Sequence, residues 1–388
     1  MLAGNFLSSF GLQMISVAVA WDLYVATKSA VVLGNVGFVQ VAPFLMFALF
    51  AGHFADRHDR RKIMMLTQFL FLAASALLIF GFRSVSLIYG CLFLMASARA
   101  FQWPARLSML PHVVSTETLG NAIAWNSSAQ EIASVSGPAL AGILLAKTSS
   151  TTIYLLQTVF ATLTLLCYCG IHYRPAAVPQ ADVAVTPLSG SRSILEGLHF
   201  VRDNKLILSA VSLDLFAVLF GGATALLPIY AVDILHSGVV GLGWLRAAPS
   251  IGAVSMALIT AHSPRAHSAG KVLLWAVAGF GVATIAFGLS HSIWLSFAML
   301  LLTGVFDNIS VILRNSLVQT HTPDRLRGRV LSVNSIFIAC SNQFGAVESG
   351  WTAAWFGAVP SVVGGGIATI LVVAACASLS PALRRWKQ

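Results

Sequence analysis

Charge is scarce in this chain. Only 9% of its 388 residues are Asp, Glu, Lys or Arg, far below the roughly 25% of a soluble globular domain, so water is not the solvent for most of its surface. Cysteine is scarce too, and Cys91, Cys167, Cys169, Cys340 and Cys376 lie within apolar segments. Their odd number and spacing suit neither a zinc site, a redox pair nor a disulfide framework, and they read as small packing residues. No G-x-x-x-x-G-K-[ST] loop occurs, which argues against a built-in ATPase. Neither H-E-x-x-H nor a serine nucleophile elbow occurs, which argues against a membrane enzyme, and no soluble signalling domain suggests a receptor. No cofactor and no metal are expected. Lys and Arg are missing from Met1 to Ala20, so this stretch lacks the basic start of a secretory signal despite Ala18-Val19-Ala20 and is read as a first span; a start further upstream stays open.

Hydrophobic residues make up 57% of the chain. A spanning helix takes roughly 20 apolar residues, so twelve would use about 240 and leave short loops. Apolar runs fall near 2–26, 32–54, 63–82, 85–103, 120–146 and 151–172, and again near 206–230, 240–262, 271–290, 293–316, 330–355 and 357–378. Between the two sets, Tyr173 to Lys205 is polar and carries Arg174, Pro175, Pro179, Pro187 and Gly190 before a surface helix, SILEGLHFVRDNK. This divides the chain into a six-helix bundle (1–173), a linker with a short surface helix (174–205) and a second six-helix bundle (206–388).

The net charge of +10 does not indicate nucleic acid, because the basic residues sit in short gaps between apolar runs and form no water-facing patch. With alternating spans, one set of gaps holds eighteen of the 23 basic residues, Arg106 and Arg314 among them; the other holds Lys28, Arg83 and Lys147, and Arg99 and Arg246 lie within spans. Basic residues resist translocation, so both termini and the linker are expected in the cytoplasm of an inner-membrane, multi-pass protein. The chain also repeats itself. At an offset of 208, Arg106, Ser108, Gly120, Asn126, Ser127, Gly137 and Gly142 meet Arg314, Ser316, Gly328, Asn334, Ser335, Gly345 and Gly350; at 209, Ala48, Leu49, His53, His58 and Lys62 meet Ala257, Leu258, His262, His267 and Lys271. An even number of spans per unit makes the copies parallel, the arrangement that general accounts of transporter folds already describe for major facilitators.

The segment GHFADRHDRRK places Gly52, Asp56, Arg57, Arg60 and Arg61 in G-x-x-x-D-R-x-x-R-R order. This resembles the loop signature of the major facilitator superfamily. The resemblance implies an all-α membrane protein of twelve transmembrane helices in two parallel six-helix repeats, with these residues as a gating loop whose arginines anchor it and offer partners to acidic groups. The segments WDLYVATKSAVVLGNVGFVQVAPF, ARAFQWPARLSMLPHVV, SGPALAG and QTHTPDRLRGRVLSV look like the bacterial exporter branch that includes the enterobactin exporter and macrolide efflux proteins. That likeness implies outward movement of a small organic molecule, a siderophore or drug-like compound, against proton entry. Uptake of a metabolite or sugar by the same fold is the alternative. ASVSGPALAG keeps Gly137 and Pro138 of the antiporter motif, a candidate kink in the fifth span, but has Ala133 and Ala141 at two glycine positions.

Ionisable groups inside a bilayer call for partners. Five carboxylates qualify by position as candidate proton carriers: Glu131, Asp22, Asp307, Asp214 and Glu348. Thr303, Asp307, Ser310 and Arg314 share one helical face, and the 208 offset matches Arg99, Gln102 and Arg106 to Asp307, Ser310 and Arg314. Those two faces are expected to border the pathway. A polar stripe of Asn5, Ser9, Gln13 and Ser16 runs along the first span. Substrate-cavity candidates are therefore Arg99, Gln102 and Gln13, with Trp21, Trp125 and Phe216 as apolar walls alongside Phe38, Phe101, Trp103 and Phe220. Polar glue between helices and simple packing explain the same residues equally well. The expected partners are the lipid bilayer, protons and a small-molecule substrate, with no nucleic acid, and the chain is expected to act as a monomer.

Overall fold

The computed structural model describes residues 1–81, 84–115, 117–171, 190–262 and 268–387, apart from the side chains of 48, 49, 52, 53, 55, 56, 111, 112 and 190–194. The first set of helices is α1 (Leu2–Thr27), α2 (Ala30–Arg57), α3 (Arg60–Gly81), α4 (Val85–Val113), α5 (Leu119–Lys147) and α6 (Ser150–Cys169). A polar helix follows, α7 (Gly190–Asp203). Next comes α8 (Lys205–Phe220), continued by a 3-10 turn (Ala223–Leu226), α9 (Leu227–Ile229) and a π turn (Tyr230–Ile234). The chain ends with α10 (Gly238–His262), α11 (Ala269–Leu289), α12 (Ile293–His321), α13 (Asp324–Phe356), α14 (Ala358–Leu379) and a short α15 (Pro381–Arg385). Among the described residues, twelve helical segments are long and apolar enough to cross a membrane, the broken segment Lys205–Ile234 being one. The polar segment between the sets lies outside the described residues from 172 to 189, and the surface helix expected beside it is α7.

Local chemistry fixes several ends. Ser84 caps α4 by accepting from the Leu87 N–H, and the Asn204 Oδ1 accepts from Leu206 and Ile207 at the start of α8. Helix α12 stops at Thr322, ahead of Pro323, whose ring disfavours a helical residue before it. Three helices outrun their apolar runs: α4 continues to Val113, α12 to His321, and α13 begins at Asp324. Arg106 and Arg314, counted above with the loops, are therefore helical. Arginine is a good helix former, and both residues find polar partners on the helices they face. The break after α8 was not expected. At Gly222 an added Cβ would lie 2.6 Å from the Gly345 carbonyl carbon, so the chain passes α13 backbone to backbone.

The chain forms two compact units. The first holds Met1–Ala26 and Val39–Gly190; in it α3 packs on α4 and α6, around Met64, Ala105, Met109 and Tyr168. The second holds Thr27–Phe38 and Ser191–Gln388; α12 packs on α10 and α11, and α8 on α13 and α14, around Leu213, Leu273, Leu317 and Val330. Residues 27–38 thus join the second unit, whereas the division at 173 and 205 puts them with the first bundle. Small residues allow it: a Cβ on Gly34 would sit 2.8 Å from the Gly350 Cα, and Trp351 Nε1 donates to Asn35 Oδ1 at 3.2 Å. Helix α7 docks on α13, where Glu196 pairs with Arg325 at 3.3 Å and with Arg329.

The internal repeat has a packing reason. A Cβ on Gly137 would lie 2.7 Å from Gln13 Cβ, where α5 crosses α1; one on its repeat partner Gly345 would lie 2.8 Å from the Val218 carbonyl oxygen, where α13 crosses α8. Each repeat uses one glycine to bring its fifth span against its first. Pro138 follows inside α5, a single helix from Leu119 to Lys147. The outer faces stay apolar: Phe80 is 89% exposed and Trp294 82%, which in lipid carries no hydrophobic penalty.

Candidate transport site

The polar side chains gather into one cluster per unit. In the first unit α1 supplies Asn5, which donates to Asn126 Oδ1 of α5 at 2.9 Å and accepts from the Tyr168 hydroxyl of α6 at 2.8 Å. Arg106 of α4 donates to the same Asn126 oxygen at 3.1 Å and to Gln130 Oε1 at 3.3 Å. One turn further along α1, Ser8 donates to Gln68 Oε1 at 3.2 Å, which also accepts from Gln102 at 3.4 Å. Gln13 donates to Ser134 Oγ at 3.0 Å, and Ser16 to the Gln13 carbonyl. The polar face of α1 therefore runs through buried Ser8, with Ser9 half-buried beside it. Gln157 of α6 is buried with both amide atoms unpartnered among the described residues.

Asp22 is held at the far end of the same unit. It accepts from the Ser150 Oγ and from the Tyr154 hydroxyl at 2.6 Å. Glu131 is exposed on α5 and Arg99 exposed on α4; among the described residues neither makes a hydrogen bond or ion pair. Trp21 is half-buried, Trp103 is 52% exposed and Trp125 63% exposed.

In the second unit the chemistry is ionic. Asp214 of α8 pairs with Arg314 of α12, and both are buried. Asp307, two turns before Arg314, is half-buried and makes neither an ion pair nor a hydrogen bond among the described residues. Asp214, Asp307, Ser310, Phe280 and Phe306 line one small cleft. Thr303, Ser310 and Arg314 are all buried, so the shared face of α12 turns inward. Ser310 Oγ, Arg314 Nε and Asn334 Oδ1 are buried without hydrogen-bond partners among the described residues. Glu348 on α13 is half-buried and accepts from Ser349 at 3.4 Å, and Phe216 stacks on Phe220 of α8. Arg246 of α10 is half-buried.

The repeat sharpens the comparison. Arg106 with Asn126 corresponds to Arg314 with Asn334, but among the described residues only the second arginine pairs with a carboxylate. Sequence reasoning missed the Asp214–Arg314 pair because it joins residues a hundred positions apart, and no helical spacing signals such a contact. It also missed Tyr154 and Tyr168, whose hydroxyls reach partners on α1; two polar-tipped rings in a span that also carries Gln157 and several threonines were the available signal.

In the segment that carries the loop signature, Arg60 donates to the Ser108 carbonyl at 3.2 Å, and Arg61 to the carbonyls of Tyr168, at 3.1 Å, and Cys169. Arg61 thus binds the last carbonyls of α6, where the helix dipole favours a cation, and Arg60 binds a carbonyl within α4, rather than only acidic side chains. Arg57 is exposed; the surroundings of Gly52 and the side chain of Asp56 lie outside what is described.

The family described as "Transmembrane secretion effector" matches residues 1–388. The chain is 25% identical over 369 residues to the staphyloferrin A transporter of Staphylococcus aureus, covering 89% of this chain and 88% of that protein. It is 26% identical over 390 residues to the enterobactin exporter EntS of Citrobacter koseri, covering 99% and 92%. Among solved structures, a bacterial homologue of the lysosomal transporter Spinster superposes with a TM-score of 0.75 at 14% identity, covering 100% and 98%. A peptide transporter of the POT type does so with a TM-score of 0.78 at 12% identity, covering 100% and 94%. These last two share the fold.

Proposed function

Because the chain belongs to the transmembrane secretion effector family of the major facilitator superfamily, we propose that this multi-pass inner-membrane transporter exports a small organic molecule by alternating access, driven by proton entry. Its relatives named for staphyloferrin A and enterobactin support a siderophore as cargo. The distribution of Lys and Arg supports cytoplasmic termini, and the relative named as an enterobactin exporter supports outward transport.

One observation carries the coupling proposal: two carboxylates, Asp214 and Asp307, line one cleft, and the first of them is paired with a buried guanidinium, Arg314. With all three ionised the group carries one negative charge, and one proton brings it to zero. A cluster whose charge changes by one unit in a low-dielectric interior biases whichever conformation solvates the charged form better. Asp307 is the proton carrier in this reading, and Asp214 holds Arg314 in place. A proton crossing 100 mV delivers about 2.3 kcal/mol, enough for concentrative export without nucleotide. Asp22, held by Ser150 and Tyr154, serves as a structural anchor, while exposed Glu131 is a second proton-carrier candidate.

Inverted membrane vesicles with an imposed proton gradient test the reading. Siderophores and hydrophobic antibiotics are screened, and wild type is compared with Asp307→Asn and Glu131→Gln. Gradient-driven accumulation is expected in wild type and lost in Asp307→Asn. Equal accumulation by both variants and wild type removes the coupling assignment, and accumulation only in right-side-out vesicles reverses the direction.

A further inference from the structure

The two halves use the same arginine differently. Arg314 is 1% exposed and closed by Asp214. Arg106, its repeat partner, is half-buried and faces an open cleft lined by Asn5, Trp103, Leu110, Asn126 and Gln130. At the 209 offset that relates α2 to α10, Asn5 stands where Asp214 does, and both side chains are buried on the first helix of their repeat. The second half thus carries a carboxylate where the first carries its uncharged counterpart. No carboxylate of the described residues pairs with Arg106 or with Arg99. Arg99 lies two turns earlier on the same α4 face.

We propose that the Arg106 cleft is a capture site for a carboxylate group of the transported molecule, with the ligand's carboxylate taking the place that Asp214 fills in the other half. The orientation of Arg106 suits this. One terminal nitrogen, Nη2, is held by Asn126 and Gln130, which leaves Nη1, with its two hydrogens, to donate charge-assisted hydrogen bonds to a carboxylate. Exposed Trp103 beside it offers an apolar face for the body of the ligand. Arg99 draws the anion further along α4. The cargo class that follows is an organic anion carrying at least one carboxylate.

This inference rests on the transport reading for its meaning but is tested by binding. The purified full chain in lipid nanodiscs is titrated with 1-naphthoate and with the isosteric neutral probe 1-naphthamide, in wild type, Arg106→Gln and Asn5→Asp. Wild type is expected to prefer the carboxylate by at least about tenfold, roughly 1.4 kcal/mol. That preference is expected to vanish in both variants, with Asn5→Asp closing the site from within as Asp214 does and both variants keeping a cooperative unfolding transition. Equal affinity for the two probes in wild type, no binding of either, or an unaltered preference in Asn5→Asp overturns the proposal. Export of only neutral compounds, with no carboxylate preference, sinks this site and leaves the transport reading standing. A clear carboxylate preference with no gradient-driven export of any compound does the reverse.

Discussion

Replacing Arg314 by Met removes the one cation from a buried group that holds two carboxylates. The side chains of Arg314 and Asp214 are 1% and 8% exposed, so no water replaces the lost partner. Breaking a buried pair from one side costs about 3–5 kcal/mol, mostly as the penalty of an uncompensated buried charge. Adding Asp214→Leu removes the stranded carboxylate, and replacing a whole buried pair with apolar groups is commonly neutral or better. The double variant is therefore expected to recover most of the loss, short of what Asp307 still demands. Unfolding of purified protein in mixed micelles, followed by intrinsic fluorescence against denaturant, gives the three free energies, with m-values checked for constancy. If Arg314→Met loses less than about 1 kcal/mol, or if the second substitution deepens the loss, the group is not the tightly coupled buried cluster described here.

Gly137→Leu drives a side chain into the α1–α5 crossing, where even a Cβ would lie 2.7 Å from Gln13 Cβ and 3.1 Å from the Phe10 carbonyl oxygen; overpacking of about 1–3 kcal/mol is expected as a lower Tm. Asp22→Ala strips the Ser150 and Tyr154 hydroxyls of their acceptor and is expected to cost about 1–3 kcal/mol for a buried donor left unmade, again read as Tm. Glu196→Gln frees Arg325 and Arg329 on a partly exposed surface, so stability falls by less than about 1 kcal/mol, while trypsin cleavage near Arg202 accelerates. Cysteines placed at Arg57 and Lys205, both exposed, are expected to label from the same side of the bilayer, and labelling from opposite sides contradicts the two-hexad topology.

The spans were legible because each is an apolar run with charge at its ends, and lipid demands that pattern of any helix that crosses it. Their ends were less so. Arg106 and Arg314 mark chemistry inside helices, yet a charge at the edge of an apolar run reads as a loop unless its partner is known. The break after Phe220 was hidden because Gly221-Gly222 is tolerable inside a spanning helix; the close approach of α13 is what occupies the space. The α12 face was visible in its spacing, and the structure turns it inward. Which carboxylate Arg314 holds was not visible, since pairing across a bundle leaves no local pattern. Trp125 and Phe216 show the remaining limit: an aromatic side chain looks the same in sequence whether it faces lipid or a cavity, and both are substantially exposed.

The most direct measurement follows proton movement itself, in proteoliposomes containing a pH-sensitive dye, as an identified substrate is exported. Wild type is expected to move protons inward in fixed ratio to substrate, and Asp307→Asn to exchange substrate down its gradient with no accompanying proton flux. Undiminished proton flux in Asp307→Asn would contradict the assignment of coupling to the Asp214–Arg314–Asp307 cluster.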